Sequence, residues 1–266
     1  MGAQTGLAVV TGAAGGLGGA CARRLARAGY DLLLTDIGPG PLEAAAAALR
    51  AGGAKVETLV GDVADPAFPS EVVGALGARP LGALVHAAGL SPTMGEPERI
   101  IEVNLFASAR LLDGLLPTAQ AGTAVVVIAS MAGHMPISPE ADAAFNARLA
   151  PDSLKALAAF APTPSAAYTL SKRGVLRLVE RGAAAWGAKG ARITSISPGT
   201  MDTGMGRAEF ATQPAMAVMI ERSPINRWGT PDEIGAVAAF LCSADASFMT
   251  GCDLRVDGGT LAMLSG

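Results

Sequence analysis

The chain has 266 residues, enough for one large α/β domain or two small ones. Half of the residues are hydrophobic and only 4% are aromatic, so a core would be built from Ala, Val and Leu, with glycine in excess of an average chain. A net charge of −3 provides no electrostatic drive toward nucleic acid or an anionic membrane surface.

Leu7 to Thr11 is a short apolar, partly β-branched run, the mark of a buried strand. It leads into Thr-Gly-Ala-Ala-Gly-Gly-Leu-Gly, Thr11 to Gly18. A helix is predicted from there to about Ala28, with Leu17, Cys21, Leu25 and Ala28 along one face. Glycines at a strand-to-helix turn let backbone approach a pyrophosphate, which sits at the positive end of the helix. The spacing of Gly12, Gly16 and Gly18 leaves three residues between the first two, unlike the G-x-G-x-x-G of other dinucleotide folds. Asp31 to Asp36 is the next strand, and Asp36 ends it. A carboxylate at that point can bind both hydroxyls of the adenosine ribose and repels a 2′-phosphate. The glycine turn holds no Arg or Lys, and Ile37 and Gly38 follow Asp36, so NAD is predicted over NADP.

Pro41 to Ala51 reads as an Ala-rich helix and Lys55 to Val60 as a third strand, ending in Gly61-Asp62-Val63. Asp62 has two open readings: it reaches the adenine amino group, or it caps the segment after it. Ser70 to Leu76 is a predicted short helix. Ala83 to His86 is a fourth strand, leading into His86-Ala87-Ala88-Gly89, whose small residues again permit close approach of a cofactor. His86 is read as a partner for the strand's neighbours rather than a catalytic base. Glu96 to Leu116 reads as one long helix carrying Asn104 amid Val103, Leu105 and Phe106, where a buried amide must find hydrogen bonds.

Ala124 to Ala129 is the fifth strand, with Ser130 at its carboxyl end, the edge where ligands bind in an open parallel sheet. The Ser130 hydroxyl suits a hydrogen bond to a substrate oxygen, and equally the start of a helix. Strand–helix alternation predicts an α/β fold: a doubly wound, mostly parallel, seven-stranded sheet of Rossmann type with helices on both faces. Ser138-Pro139-Glu140 resembles a helix start, with Ala141, Phe145 and Leu149 sharing a face. Pro151 interrupts. Ser153 to Phe160 is a second helix with Leu154 and Leu157 inward, ended by Pro162 and Pro164. This helical insertion, about 134–164, is read as a pocket wall, an oligomer contact or an exposed decoration.

Ala166 to Leu176 is helical, and Tyr168 and Lys172 stand four apart on one face of it. An ammonium beside a phenol favours the phenolate and pulls the tyrosine below its usual value of about 10, giving a general acid/base near neutral pH. Ala191 to Ile196 is the sixth strand, closed by Ser197-Pro198-Gly199-Thr200, with Thr203 nearby. Residues 201–227 hold four methionines, at 201, 205, 216 and 219, without a single period, as a mobile lid over an apolar substrate would. Pro231 to Cys242 is a firm helix: Thr230 caps, Pro231 sits first, and Asp232 and Glu233 match the dipole. Gly251 to Val256 is the last strand, and Asp257-Gly258-Gly259 a turn.

Cys21, Cys242 and Cys252 lie far apart, without metal-ligand spacing or an even count for a disulfide framework, and are read as small buried hydrophobes. No metal site, signal peptide or membrane span is predicted, and the chain is expected to be soluble and cytoplasmic.

In order and at matching spacing, these motifs resemble the short-chain dehydrogenase/reductase family over nearly the whole chain. Thr11 to Gly18 matches T-G-x-x-x-G-x-G, and His86-Ala87-Ala88-Gly89 stands where N-N-A-G is usual. Asn104, Ser130, Tyr168 and Lys172 match the catalytic Asn-Ser-Tyr-Lys set. Pro198, Gly199, Thr200 and Thr203 match the loop that holds the nicotinamide carboxamide. The resemblance also implies cofactor contacts from Gly15, Leu17 and Val63, beside those from Gly12, Gly16, Gly18, Asp36, Asp62, Ala87, Ala88 and Gly89.

Two departures stand out: His86 and Ala87 replace the paired asparagines, and 38 positions separate Ser130 from Tyr168, far more than is usual. The long gap is similar to the bacterial 3α-hydroxysteroid dehydrogenase/carbonyl reductase branch. The resemblance thus implies one domain over 1–266, with a cofactor half about 1–130 and a substrate lid about 200–227. It implies NAD-dependent interconversion of a secondary alcohol and a ketone of steroid or terpenoid size, by a homo-oligomer, dimer or tetramer. Tyr168 would move the proton, Lys172 would lower its pKa and bind the nicotinamide ribose, and Asn104 would hold a relaying water. Two rival readings are a noncatalytic dinucleotide-binding sensor, which would not need Ser130, Tyr168 and Lys172 together, and a 3-oxoacyl carrier-protein reductase. Asp36 and the net charge argue against the latter.

Overall fold

Seven short strands, apolar at the centre and more polar at the two edges, assemble into one parallel sheet. The computed structural model describes residues 6–146, 149–150, 153–212 and 215–264. The strands are β1 (Leu7–Thr11), β2 (Asp31–Asp36), β3 (Val56–Val60), β4 (Leu81–His86), β5 (Ala124–Ile128), β6 (Arg192–Pro198) and β7 (Cys252–Val256). Their order is β3-β2-β1-β4-β5-β6-β7, and every pair is parallel. Strands β1, β4 and β5 are buried at every position, as continuous apolar runs covered on both faces must be. The chain reverses direction across the sheet between β1 and β4, so a crevice opens at the carboxyl ends of those strands.

Two helical layers cover the sheet. On one face lie α1 (Gly16–Arg27), α2 (Pro39–Ala51) and α11 (Pro231–Cys242), whose Cys21, Leu25, Leu42, Ile234 and Leu241 pack on Ala8, Val10 and Leu34. On the other lie α3 (Phe68–Leu76), α5 (Ala107–Leu115) and α8 (Pro164–Gly187), through Phe68, Leu111, Val175 and Trp186. Each fully buried Leu or Phe contributes about 2 kcal/mol relative to exposure. Thr230 and Glu233 start α11 with a reciprocal capping box behind Pro231, as the sequence predicts. Cys21 and Cys242 are buried, and that burial pushes both thiols up to about 12; Cys252 is only half-buried.

Three readings change. The long helix expected over 96–116 is α4 (Pro97–Ile101), a π-turn at Glu102–Phe106 and then α5, with Asn104 in the middle of the wide turn. π-turns widen the helix locally and recur at functional sites. Pro164 does not end the insertion. It sits in the first turn of α8, behind Thr163, whose hydroxyl accepts from Ala166 N at 3.3 Å. The insertion is also no exposed decoration. Its helices α6 (Pro139–Ala143) and α7 (Ser153–Ala159) bury Ala141, Phe145 and Leu157 against Ile100, Leu105 and Leu170 in a third core cluster. Arg177 holds Asp142 at 2.7 Å, and Arg181 donates to the Phe145 carbonyl. Ser138 caps α6 as predicted, accepting from Ala141 N at 3.1 Å; the predicted break at Pro151 lies outside the described residues.

The 201–227 segment contains α9 (Gly204–Phe210) and α10 (Ala215–Arg222), and α12 (Thr260–Leu264) closes the described chain. Met201 and Met216 are buried, Met205 is exposed, and Phe210 meets Trp228 with ring centroids 5.2 Å apart. Among the described residues no helix is long and apolar enough to cross a membrane, and no cluster of His, Cys, Asp or Glu suits a metal ion.

Candidate active site

The glycine turn forms the first wall of the crevice. Gly12 has φ +64°, the left-handed region that favours glycine, and a Cβ there would come within 2.8 Å of Ala88 N. A Cβ on Gly18 would come within 2.1 Å of the Gly12 carbonyl, so α1 begins pressed against its own turn. Gly15 and Gly16 present exposed backbone, and no side chain caps the N-terminus of α1. Gly15 N donates back to Gly12 O at 3.0 Å, and the first N–H groups of α1 beyond it, with the helix dipole, form the cradle an anion would take. Across it stands Thr203, whose Cγ2 would lie 2.8 Å from a Cβ on Gly16. Leu17, behind the turn, is half-buried in the sheet's core.

Asp36 closes β2 beside this turn. Its Oδ2 accepts from Ala14 N at 3.0 Å, and its Oδ1 from Ile37 N at 2.8 Å. Asp62 takes the capping role of its two readings: Oδ1 accepts from Ala64 N at 2.8 Å across Val63, and Oδ2 pairs with Arg99 at 2.8 Å. Burial opposes ionisation of Asp62, but the Ala64 N–H and Arg99 outweigh it and hold the carboxyl below its usual range. Pro198, Gly199 and Thr200 lie along the end of β7. Gly199 N donates to Val256 O at 3.0 Å, and a Cβ on Gly199 would strike Asp257 Cα.

The four predicted catalytic residues converge at the carboxyl ends of β4 and β5. Asn104 is buried, and its side chain is fully engaged. Oδ1 accepts from Leu90 N at 2.7 Å, while Nδ2 donates to Leu90 O at 2.9 Å and to Ser171 Oγ at 3.2 Å. Ser171 Oγ in turn donates to Tyr168 O at 2.8 Å. The amide therefore ties the loop after β4 to the helix bearing Tyr168. Gly89 lies between them, its absent Cβ 3.0 Å from Asn104 Oδ1 and 3.6 Å from Lys172 Nζ. Ser130 does start a short 3-10 turn, accepting from Ala132 N at 3.1 Å, and its hydroxyl is also hydrogen-bonded with the Tyr168 phenol.

Lys172 and Tyr168 share a helix face as expected, with Nζ 5.8 Å from the ring centroid. The expected electrostatics do not follow. Burial pushes the phenol up to about 12, Ser130 hydrogen bonding pulls the other way, and the Glu209 carboxylate adds to the rise. Lys172 is itself buried, donates to Ile128 O at 3.0 Å, and is held down to about 8. Desolvation thus wins over the attraction that spacing alone suggested.

His86 fits its predicted role. Nδ1 meets Thr11 Oγ1 at 2.7 Å and Nε2 meets Ser108 Oγ at 2.9 Å. Burial, with the Lys172 charge adding to it, drives the imidazole down to about 3, which excludes a base at neutral pH. Sequence reasoning missed Ser171, although its place three residues past Tyr168 in a helix was a usable signal. It also missed Ile128, whose backbone carbonyl leaves no trace in the sequence.

The family model described as "short chain dehydrogenase" matches residues 6–141, and one described as "Enoyl-(Acyl carrier protein) reductase" matches residues 152–260. A cis-4-hydroxycyclohexanecarboxylate dehydrogenase of Sinomonas cyclohexanicum is 32% identical over 263 residues, covering 97% of both chains. The crystal structure of levodione reductase superposes with a TM-score of 0.79 at 29% identity, over 96% of this chain and 97% of that one. A putative NAD(P)-dependent gluconate 5-dehydrogenase from Beutenbergia cavernae, with NADP bound at low occupancy, gives 0.77 at 29% identity, over 96% of each chain.

Proposed function

The chain belongs to the short-chain dehydrogenase/reductase family of nicotinamide-dependent oxidoreductases acting on alcohols and ketones, and from that premise we propose an NAD(H)-dependent enzyme for an apolar secondary alcohol or ketone. The observation that carries the catalytic part is the convergence of Ser130, Tyr168, Lys172 and Asn104 at one sheet edge beside a side-chain-free glycine turn.

When bound, the dinucleotide supplies or accepts the hydride. Tyr168 holds the proton that the substrate oxygen gains or loses. Ser130, hydrogen-bonded with Tyr168 and so beside the same point, would donate to that oxygen and stabilise charge developing there. Lys172 places a cationic head by the phenol and hydrogen-bonds the ribose. The Asn104 side chain is committed to Leu90 and Ser171, so a relay water would be held at its backbone carbonyl, beside the Ser108 hydroxyl. The turn of Gly12, Gly15, Gly16 and Gly18 takes the pyrophosphate. Besides capping, Asp62 would offer its remaining lone pairs to the adenine amino group, and Val63, Ala87 and Ala88 would hold the rings.

The protonated phenol has a consequence for pH. The rate of alcohol oxidation needs the phenolate, so kcat/KM is expected to rise with pH across the neutral range with no plateau below about pH 10. Ketone reduction uses the protonated form and stays level over the same range. Discharge of Lys172 on the alkaline side removes a charge that favours the phenolate, so it flattens the rise in oxidation and moves any plateau to still higher pH. An oxidation plateau near pH 7 would show that the ammonium, not burial, governs Tyr168.

The preference for NAD is supported by Asp36 at the end of β2, beside the glycine turn, where a carboxylate would repel a 2′-phosphate. Asp36→Ala is expected to lower kcat/KM with NAD roughly tenfold or more, as loss of hydrogen bonds to a charged group does, and to raise use of NADP. Equal use of both dinucleotides by the wild type refutes this assignment. An apolar substrate of steroid or terpenoid size is supported by the methionines of 201–227 and by the long insertion. We place the enzyme in the cytoplasm as a homo-oligomer, dimer or tetramer, which light scattering tests. A panel of secondary alcohols followed at the NADH absorbance band, with each dinucleotide, tests the whole; no turnover with any of them overturns it.

A further inference from the structure

The motif after β4 carries a histidine in the place where the resemblance sets an asparagine, and the hydrogen-bond directions around it are fully determined. Thr11 Oγ1 accepts from Ala87 N and Ala88 N, each at 3.2 Å. The Ala87 N–H is shared with the Thr11 carbonyl at 3.3 Å, Thr11 Oγ1 keeps its own hydrogen for His86 Nδ1, and the sense is fixed from the far end, where Ser108 gives its hydrogen to Asn104 O. An imidazole that accepts at Nδ1 carries its hydrogen on Nε2, which donates to Ser108 Oγ. The one hydrogen of Ser108 goes to Asn104 O at 2.7 Å. Every group in the chain from the turn at Ala87 and Ala88 to the carbonyl of Asn104 therefore donates in one sense. Protonation at Nδ1 would set two hydrogens against each other at Thr11.

We infer that His86 is a positioning residue: a neutral imidazole locked in one tautomer that, through Ser108, fixes the π-turn carrying Asn104 relative to the loop at Ala87 and Ala88. Four features meet in this. The residue is fully enclosed; it spans from β1 to α5, a reach that a shorter amide does not have to both sides at once; the turn it holds is π-helical; and the Asn104 side chain continues the linkage to Ser171 and the Tyr168 helix. Lys172 is the charged group that bears on the imidazole, and its charge also favours the neutral form. The kinetic consequence rests on the oxidoreductase reading; the positional one does not.

The test uses the full-length protein with Ser108→Ala, which cuts the link to Asn104 O, and Ser108→Thr, which restores a hydroxyl. Nitrogen-15 imidazole spectra of the wild type should show one histidine as the Nε2-protonated tautomer, unchanged from about pH 5 to 8. His86→Asn assigns the signal, since the chain has only two histidines. Amide exchange at Leu90, whose N–H donates to Asn104 Oδ1, should speed about five- to tenfold in Ser108→Ala and return toward wild type in Ser108→Thr. In the enzyme, kcat should fall by a similar factor while KM for both substrates stays within about twofold. An imidazole that titrates in that range, a proton on Nδ1, or unchanged Leu90 exchange in a folded Ser108→Ala protein overturns the inference. If the spectra and exchange behave as stated and the wild type turns over no alcohol with either dinucleotide, the enzymatic reading fails and the positional one stands.

Discussion

Tyr168→Phe should abolish turnover while leaving the protein folded and able to bind dinucleotide. The substitution removes one oxygen and keeps the ring, so the packing of Ala167, Leu170 and their neighbours is undisturbed. The lost oxygen is the acid/base of the converging set that stands beside Ser130, whereas the Lys172 ammonium donates to the Ile128 carbonyl. His86 is buried and neutral, Asn104 has its amide committed, and Ser130 lacks the acidity. A positioned acid/base contributes about 10²- to 10⁴-fold, so kcat should fall by roughly 10³. Dinucleotide affinity, measured by quenching of protein fluorescence, should change by less than about threefold, and the melting temperature should hold or rise. Turnover within tenfold of the wild type removes Tyr168 from the mechanism.

Gly18→Ala carries the largest expected structural effect. The added methyl would sit 2.1 Å from the Gly12 carbonyl, backbone against side chain with no rotamer to relieve it. Gly12 cannot retreat freely, because it lies at positive φ against the backbone of Ala87 and Ala88. The turn must open, at a cost of about 1–3 kcal/mol for overpacking, which lowers the melting temperature by several degrees. Dinucleotide binding should weaken by more than the stability loss explains, since the N–H groups that face the anion move with the turn. Gly29→Ala is the control. That glycine also has positive φ, 91°, but a methyl there meets nothing within 4 Å, so only the conformational cost remains. Equal melting and equal binding for Gly18→Ala and wild type would show that the turn is not tightly built.

Much of this architecture was legible before any coordinates. Strands such as Leu7–Thr11 and Ala124–Ile128 are short apolar runs bounded by turns, and period and length suffice to find them. The Pro231 helix carries its own start signals in four consecutive residues. The grouping of Ser130 with Tyr168 followed from family resemblance rather than periodicity, and the order of the strands from neither. What escaped were effects of burial and of backbone. The π-turn around Asn104 has the apolar pattern of an ordinary helix. The Tyr168–Lys172 spacing says that the groups are neighbours but not how much water either has lost, and that loss sets the phenol's behaviour. Pro164 looked like a terminator because proline marks both ends of helices; Thr163 before it was the clue that this one opens a helix.

The layer holding α1 and α11 has an implication for how the chain could be divided. The two matched family models meet in the insertion, between residues 141 and 152. Yet Gly235 of α11 lies so close to α1 that a Cβ would come within 2.8 Å of Ala20 O, and Arg24 grips Asp232, with Nε 3.0 Å from Oδ1. The nucleotide-cradling helix is thus clasped by residues more than 200 positions downstream. A break in the insertion would leave two fragments whose bare apolar stripes match only each other, so reconstitution by mixing is the outcome to look for, and autonomous refolding of either piece is not.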